Sequence, residues 1–218
     1  MKRILCFGDS LTWGYDPFAH TRFDEEDRWT GVLQAKLNDA SGTHCVIIEE
    51  GQNGRTIATD DPAEGEKNGL TYIVPCLESH RPLDLLIIML GSNDCKIRFG
   101  YAAIDIASEM QRFLEKVIAF RHFRCDDSFK ILLIAPPRIG ESIRESWLGD
   151  SFGFEHGIEL SGGLAPWYEQ LSQMYGCAFL DASKIVSASA EDAVHLDAEN
   201  QRKLGAAIAE FIIEERLI

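Results

Sequence analysis

Four short stretches of this 218-residue sequence carry groups suited to one kind of chemistry. Gly8-Asp9-Ser10 offers a hydroxyl, and Gly51-Gln52-Asn53-Gly54 ends on a residue without a Cβ, where backbone can approach closely. Gly91-Ser92-Asn93-Asp94 offers a side-chain amide, and Asp192-Ala193-Val194-His195 sets an acid three residues before an imidazole. A serine hydroxyl is a poor nucleophile near neutral pH and needs a base within hydrogen-bond reach. Histidine is the natural base, because its pKa lies near neutrality. A carboxylate on its far nitrogen fixes the tautomer and stabilises the imidazolium. Acyl transfer also needs donors aimed at the developing oxyanion, and losing one typically costs about 10²–10³ in turnover. Ser10 is therefore a candidate nucleophile, His195 a candidate base and Asp192 a candidate orienting acid. The N–H groups of Ser10 and Gly54 and the amide of Asn93 are candidate oxyanion donors.

Each residue alone has a plainer role. Ser10 could simply cap the following helix. His195 could be a solvated residue beside a helix start capped by Asp197, and Asn93 could form a turn. The choice rests on what positions them. Five apolar runs read as strands: Arg3–Phe7, Cys45–Ile48, Leu83–Leu90, Ile131–Ala135 and Cys177–Leu180. Their near-continuous apolarity is what strands buried on both faces need. Helical spacing separates them, in Trp29–Leu37 with Asn38 and Gly42 as its end, Ala102–Phe120, Ser161–Tyr175 and Ala198–Leu217, while Pro75 interrupts Leu70–His80. This alternation predicts an α/β fold, a three-layer α/β/α domain over residues 1–218 with a five-stranded parallel sheet. A flavodoxin-like order, 2-1-3-4-5, suits it. Ligands bind outside the carboxyl ends of such strands, and the four polar stretches all fall there.

At these residues the chain resembles the GDSL/SGNH hydrolases. "FGDSLTWG", Gly54 in "QNGRT", "LGSNDCK" and "DAVH" are similar to the four blocks that supply the Ser, Gly, Asn and His of that family's name. "RILCFGDSLTWGY", "RWTGVL", "IIEEGQNGRT" and "LDLLIIMLGSND" are similar to small bacterial arylesterases and acetyl-ester hydrolases, some of them also acyltransferases. The resemblance implies a serine esterase acting on a small-molecule acetyl-type or aryl ester through an acyl-enzyme. It assigns Ser10, Asp192 and His195 to the triad, with Gly54 and Asn93 completing the oxyanion hole, and implies no cofactor. Alternatives within the family are a carbohydrate O-deacetylase and a thioesterase or lysophospholipase. Outside it stand a non-catalytic flavodoxin-like binding module and a metal-dependent phosphoesterase using Asp9 and Asp94. One acid from each of two turns is a weak metal motif, and both are assigned to orienting turns.

Trp13, three residues past the serine, is the candidate substrate-binding wall, with packing of the next loop as its plainer role. Two long loops, Asp16–Asp27 and Arg138–Glu159, carry Tyr15 (at the edge of the first), Phe18, Phe23, Trp147, Phe152 and Phe154. Such aromatics either line the pocket or bury a subunit contact, a pointer to a homo-oligomer. Arg55 is expected to brace its loop through Glu49 or Glu50. A net charge of −14 argues against nucleic-acid and anionic-membrane partners. No run has the roughly 18 apolar residues of a membrane span. Met1-Lys2-Arg3 leads directly into a strand, so no signal peptide is expected. Six cysteines without C-x-x-C spacing read as free thiols in a reducing compartment, the cytoplasm. His20, His44, His80, His122 and His156 show no ligand-like spacing and are given no role.

Overall fold

The central strands form where the chain has no polar face to turn outward, while the two edge strands are half-buried. The five are β1 (Lys2–Gly8), β2 (Cys45–Gly51), β3 (Leu85–Met89), β4 (Lys130–Ala135) and β5 (Ala178–Asp181), all paired in parallel in the order β2-β1-β3-β4-β5. This is the expected order. The computed structural model describes residues 1–41, 44–124 and 129–218, so Gly42 and Cys125 lie outside the described residues.

The helices are α1 (Ser10–Trp13), α2 (Trp29–Ser41), α3 (Gly69–His80), α4 (Ala103–Arg124), α5 (Gly149–Phe152), α6 (Glu155–Gly162), α7 (Leu164–Tyr175) and α8 (Ala198–Glu214). Alternate strand residues serve opposite faces. Leu5, Phe7, Leu86, Ile88 and Leu133 pack with α3, α4 and α7 on one side. Ile4, Cys6, Leu85, Ile87 and Ile134 pack with α2 and α8 on the other. Each such side chain, fully buried, contributes about 1.5–3 kcal/mol of hydrophobic stabilisation. Among the described residues Cys6, Cys76, Cys95 and Cys177 carry free thiols, and Cys6 and Cys45 are buried.

Three expectations need correction. Pro75 does not break its segment: α3 runs from Gly69 to His80 with Pro75 as its seventh residue, at the cost of the one helical bond that its missing N–H would have made. The loop Arg138–Glu159 is not structureless, since α5 and the start of α6 fall within it. The helix read from Ser161 is two helices, parted at Gly162-Gly163.

Parallel pairing brings the strand ends level: Gly8 lies opposite Gly51 and Met89, and Ala135 opposite Asp181. The segments leaving these ends share one rim. A buried glutamine ties that rim to the last helix. Gln201 of α8 accepts from the Trp29 N–H at 2.9 Å and donates to the Leu11 carbonyl at 3.1 Å, where the Trp29 indole also donates.

Candidate active site

β1 stops at Gly8, and the cap of the next helix is Asp9, whose Oδ1 accepts from the Leu11 N–H at 2.9 Å. The capping role open to Ser10 thus falls to its neighbour. Ser10 becomes the first residue of α1, where backbone N–H groups have no partner within the helix. Its Oγ lies 2.8 Å from His195 Nε2, although the two residues are 185 positions apart. His195 Nδ1 lies 2.6 Å from Asp192 Oδ2.

A tight turn holds that acid and imidazole together. Asp192 Oδ1 accepts from the N–H groups of Val194 (3.0 Å) and His195 (2.9 Å), which wraps the backbone around the carboxylate. Ala193 between them has φ +67, a left-handed conformation that costs a residue with a Cβ about 1–3 kcal/mol. The surroundings hold it there. Gly140 N–H donates to the Ala193 carbonyl at 2.8 Å, and Ser146 Oγ to the Asp192 carbonyl at 2.9 Å. Burial alone would raise Asp192, but the hydrogen bond and charge of His195 and the two N–H groups outweigh it, so the carboxylate sits below its ordinary value. Asp197 caps α8 through the Asn200 N–H, as expected.

The candidate oxyanion donors lie on the same rim. Gly54 has φ +81, a left-handed conformation that favours glycine, and a Cβ built there would push aside the end of the Glu64 side chain. The Asn93 amide donates to the Arg55 carbonyl at 3.2 Å and, at a longer 3.4 Å, to Asp9 Oδ2. Arg55 does brace this loop, through backbone rather than carboxylate: its guanidinium donates to the Gly8 carbonyl (2.7 Å) and to the Glu50 carbonyl. Asp9 and Asp94 are fully buried. Burial pushes Asp9 up to about 6 against the pull of the Leu11 N–H. Burial likewise raises Asp94, whose Oδ1 accepts from the Ile57 N–H at 3.0 Å. Both acids serve backbone N–H groups of adjoining turns.

Ser10, Gly54, Asn93 and His195 open onto a cavity of about 290 Å³. Tyr15, Trp147, Leu148, Phe152 and Val194 give it apolar walls, while Glu64 and Lys96, paired at 2.5 Å, give it a charged side. The Tyr15 ring lies against His195 with centroids 4.4 Å apart, and its hydroxyl meets His20 Nδ1 at 2.8 Å. Trp13 is not part of this lining. Its ring packs against the first long loop, under the Arg22 guanidinium, and its backbone passes close to Gly51, where a Cβ would clash. Tyr15 holds the position expected of Trp13. Glu64 escaped the sequence reading because no motif marks it, and Lys96, the last residue of "LGSNDCK", because that block was read for Asn93. Among the described residues no helix is long and apolar enough to cross a membrane.

Residues 6–203 match a family model, the GDSL-like lipase/acylhydrolase family. Among solved structures, the chain is similar to Est24, a carbohydrate acetylesterase from Sinorhizobium meliloti, with 36% identity and a TM-score of 0.87 over 99% of this chain and 100% of that one. It is similar to the native M. smegmatis aryl esterase at 36% identity and a TM-score of 0.87, over 98% of this chain and 99% of that one. A lipolytic G-D-S-L family protein from Veillonella parvula, at 14% identity and a TM-score of 0.68 over 98% of this chain and 99% of that one, shares the fold alone. No curated protein sequence matches.

Proposed function

The chain belongs to the GDSL-like lipase/acylhydrolase family, and on that premise we propose that it is a serine esterase cleaving short acyl esters, acetyl or aryl, through an acyl-enzyme. The observation that carries this reading is the continuous Ser10–His195–Asp192 hydrogen-bond chain, at 2.8 and 2.6 Å. In the first step Ser10 Oγ attacks the ester carbonyl while His195 Nε2 takes its proton. The imidazolium is stabilised by Asp192, already ionised. The Ser10 and Gly54 N–H groups and the Asn93 amide receive the oxyanion, for which Asn93 gives up its longer contact with Asp9. His195 then protonates the departing alcohol. Water, or a second alcohol in acyl transfer, releases the acyl group by the reverse sequence.

A second reading, deacetylation of a decorated carbohydrate, draws on the Glu64–Lys96 pair, which gives one side of the cavity groups able to bond hydroxyls. The aromatic walls and the 290 Å³ volume disfavour long acyl chains. The deciding experiment compares wild type and Ser10→Ala on p-nitrophenyl acetate, a long-chain p-nitrophenyl ester and an O-acetylated sugar, with a chelator present. We expect the serine variant to lose about 10⁴-fold or more on every substrate cleaved. Equal rates would remove the nucleophile assignment, and a preference for the long chain would remove the short-acyl assignment.

A further inference from the structure

Away from the cavity, at the outer edge of the sheet, three side chains of different chemistry converge. Glu50 lies near the end of β2, the edge strand, and Cys76 and His80 lie on α3. Residues four apart on a helix share a face, so the thiol and imidazole both point at the strand end. The carboxylate oxygen, thiol sulfur and imidazole nitrogen lie within 4.8 Å of one another. His80 Nε2 is 2.7 Å from Glu50 Oε1, and the Tyr72 hydroxyl donates to Glu50 Oε2 at 3.2 Å. The thiol is buried, while Glu50 and His80 are half-buried beside a cleft of about 630 Å³ that Glu50, Arg55 and Tyr72 help to line.

We propose that Glu50, Cys76 and His80 form a binding site for a borderline-soft divalent cation such as zinc, with solvent from the cleft as the fourth ligand. Bonds of about 2.0–2.3 Å in a tetrahedron set ligand atoms roughly 3.3–3.8 Å apart, within reach of small side-chain rotations from the present spacing. A thiolate and an imidazole select zinc-like ions over magnesium or calcium, which take oxygen ligands. The thiol proton leaves to solvent as the sulfur–metal bond forms. Thiolate and carboxylate then balance the ion's two charges. The Arg55 guanidinium, 5.4 Å from the centre of the Tyr72 ring, opposes a further positive charge and holds the affinity below that of a closed four-residue site. Binding would pin the end of β2 to α3, just before the loop that carries Gly54.

The test is titration of the chelator-stripped full-length protein with cobalt(II), read by the thiolate-to-cobalt charge-transfer band in the near ultraviolet. We expect one equivalent to saturate the band, added zinc to abolish it, and Ser10→Ala to bind as the wild type does. Cys76→Ser removes the band, and Glu50→Gln and His80→Ala each weaken binding roughly tenfold or more. Absence of the band in the wild type, or its survival in Cys76→Ser, overturns the proposal. If Cys76→Ser does not fold, His80→Ala decides, since its imidazole is partly solvent-exposed, and wild-type affinity there overturns the proposal equally.

Discussion

Two acid–imidazole pairs stand at the ends of strands in this protein, and their contacts are nearly the same length. Asp192 meets His195 at 2.6 Å and Glu50 meets His80 at 2.7 Å. What differs is the third group and the backbone. The Asp192 carboxylate is wrapped by two N–H groups of its own turn, and the far nitrogen of His195 reaches a serine hydroxyl. The Glu50 carboxylate has only side-chain partners, a phenol, an imidazole and a thiol, and lies on the edge strand. The pair alone therefore does not specify a base. A fixed tautomer aimed at a nucleophile does.

That contrast can be broken at three points. Asp192→Asn should lower kcat on p-nitrophenyl acetate by about 10⁴, because the amide no longer holds His195 in the productive tautomer. An equal loss in Glu50→Gln would erase the distinction between the pairs. Gly54→Ala should lower kcat by about 10²–10³ with a smaller change in KM, since the left-handed backbone strains a Cβ at the proposed oxyanion donor. The smallest effect concerns stability. Asp9 titrates at about 6 in the fold, above the ordinary carboxylate value near 4, so the folded state holds its proton longer than the unfolded state. Stability from this group is full below about pH 4 and is lost as pH rises to about 6, by up to about 3 kcal/mol. Asp9→Asn keeps a capping oxygen and removes the cost. Its urea midpoint should exceed the wild type's at about pH 8 and equal it near pH 4; a constant offset would mean that Asp9 is already paired as an ion.

The strand ends were legible because burial on both faces forces continuous apolar runs, and the parallel sheet then leaves little freedom in where Ser10, Asn93 and His195 emerge. The order β2-β1-β3-β4-β5 suited that alternation without following from it, since spacing along the chain does not record which strands lie side by side. Trp13 was misplaced because spacing along a turn gives no direction, and the Arg22 guanidinium that covers its ring comes from a loop whose path the sequence does not give. Cys76 and His80 were passed over although Cys-x-x-x-His is a helical ligand spacing. Pro75 made the helix doubtful, and Glu50 joins them only through the sheet. Glu64 and Lys96 reach the cavity from loops whose paths depend on the ion pairs of Asp61 with Arg98 and of Glu64 with both Lys96 and Arg98. No local pattern announces such pairs.

Gln201 fastens α8 to the serine-bearing end of the molecule through the Leu11 carbonyl and the Trp29 N–H. During synthesis, then, the chain displays Ser10 long before the ribosome has released His195 or α8. On the proposed function, a nascent polypeptide carries an unactivated hydroxyl until residue 195 has emerged, and ester cleavage requires nearly the whole chain.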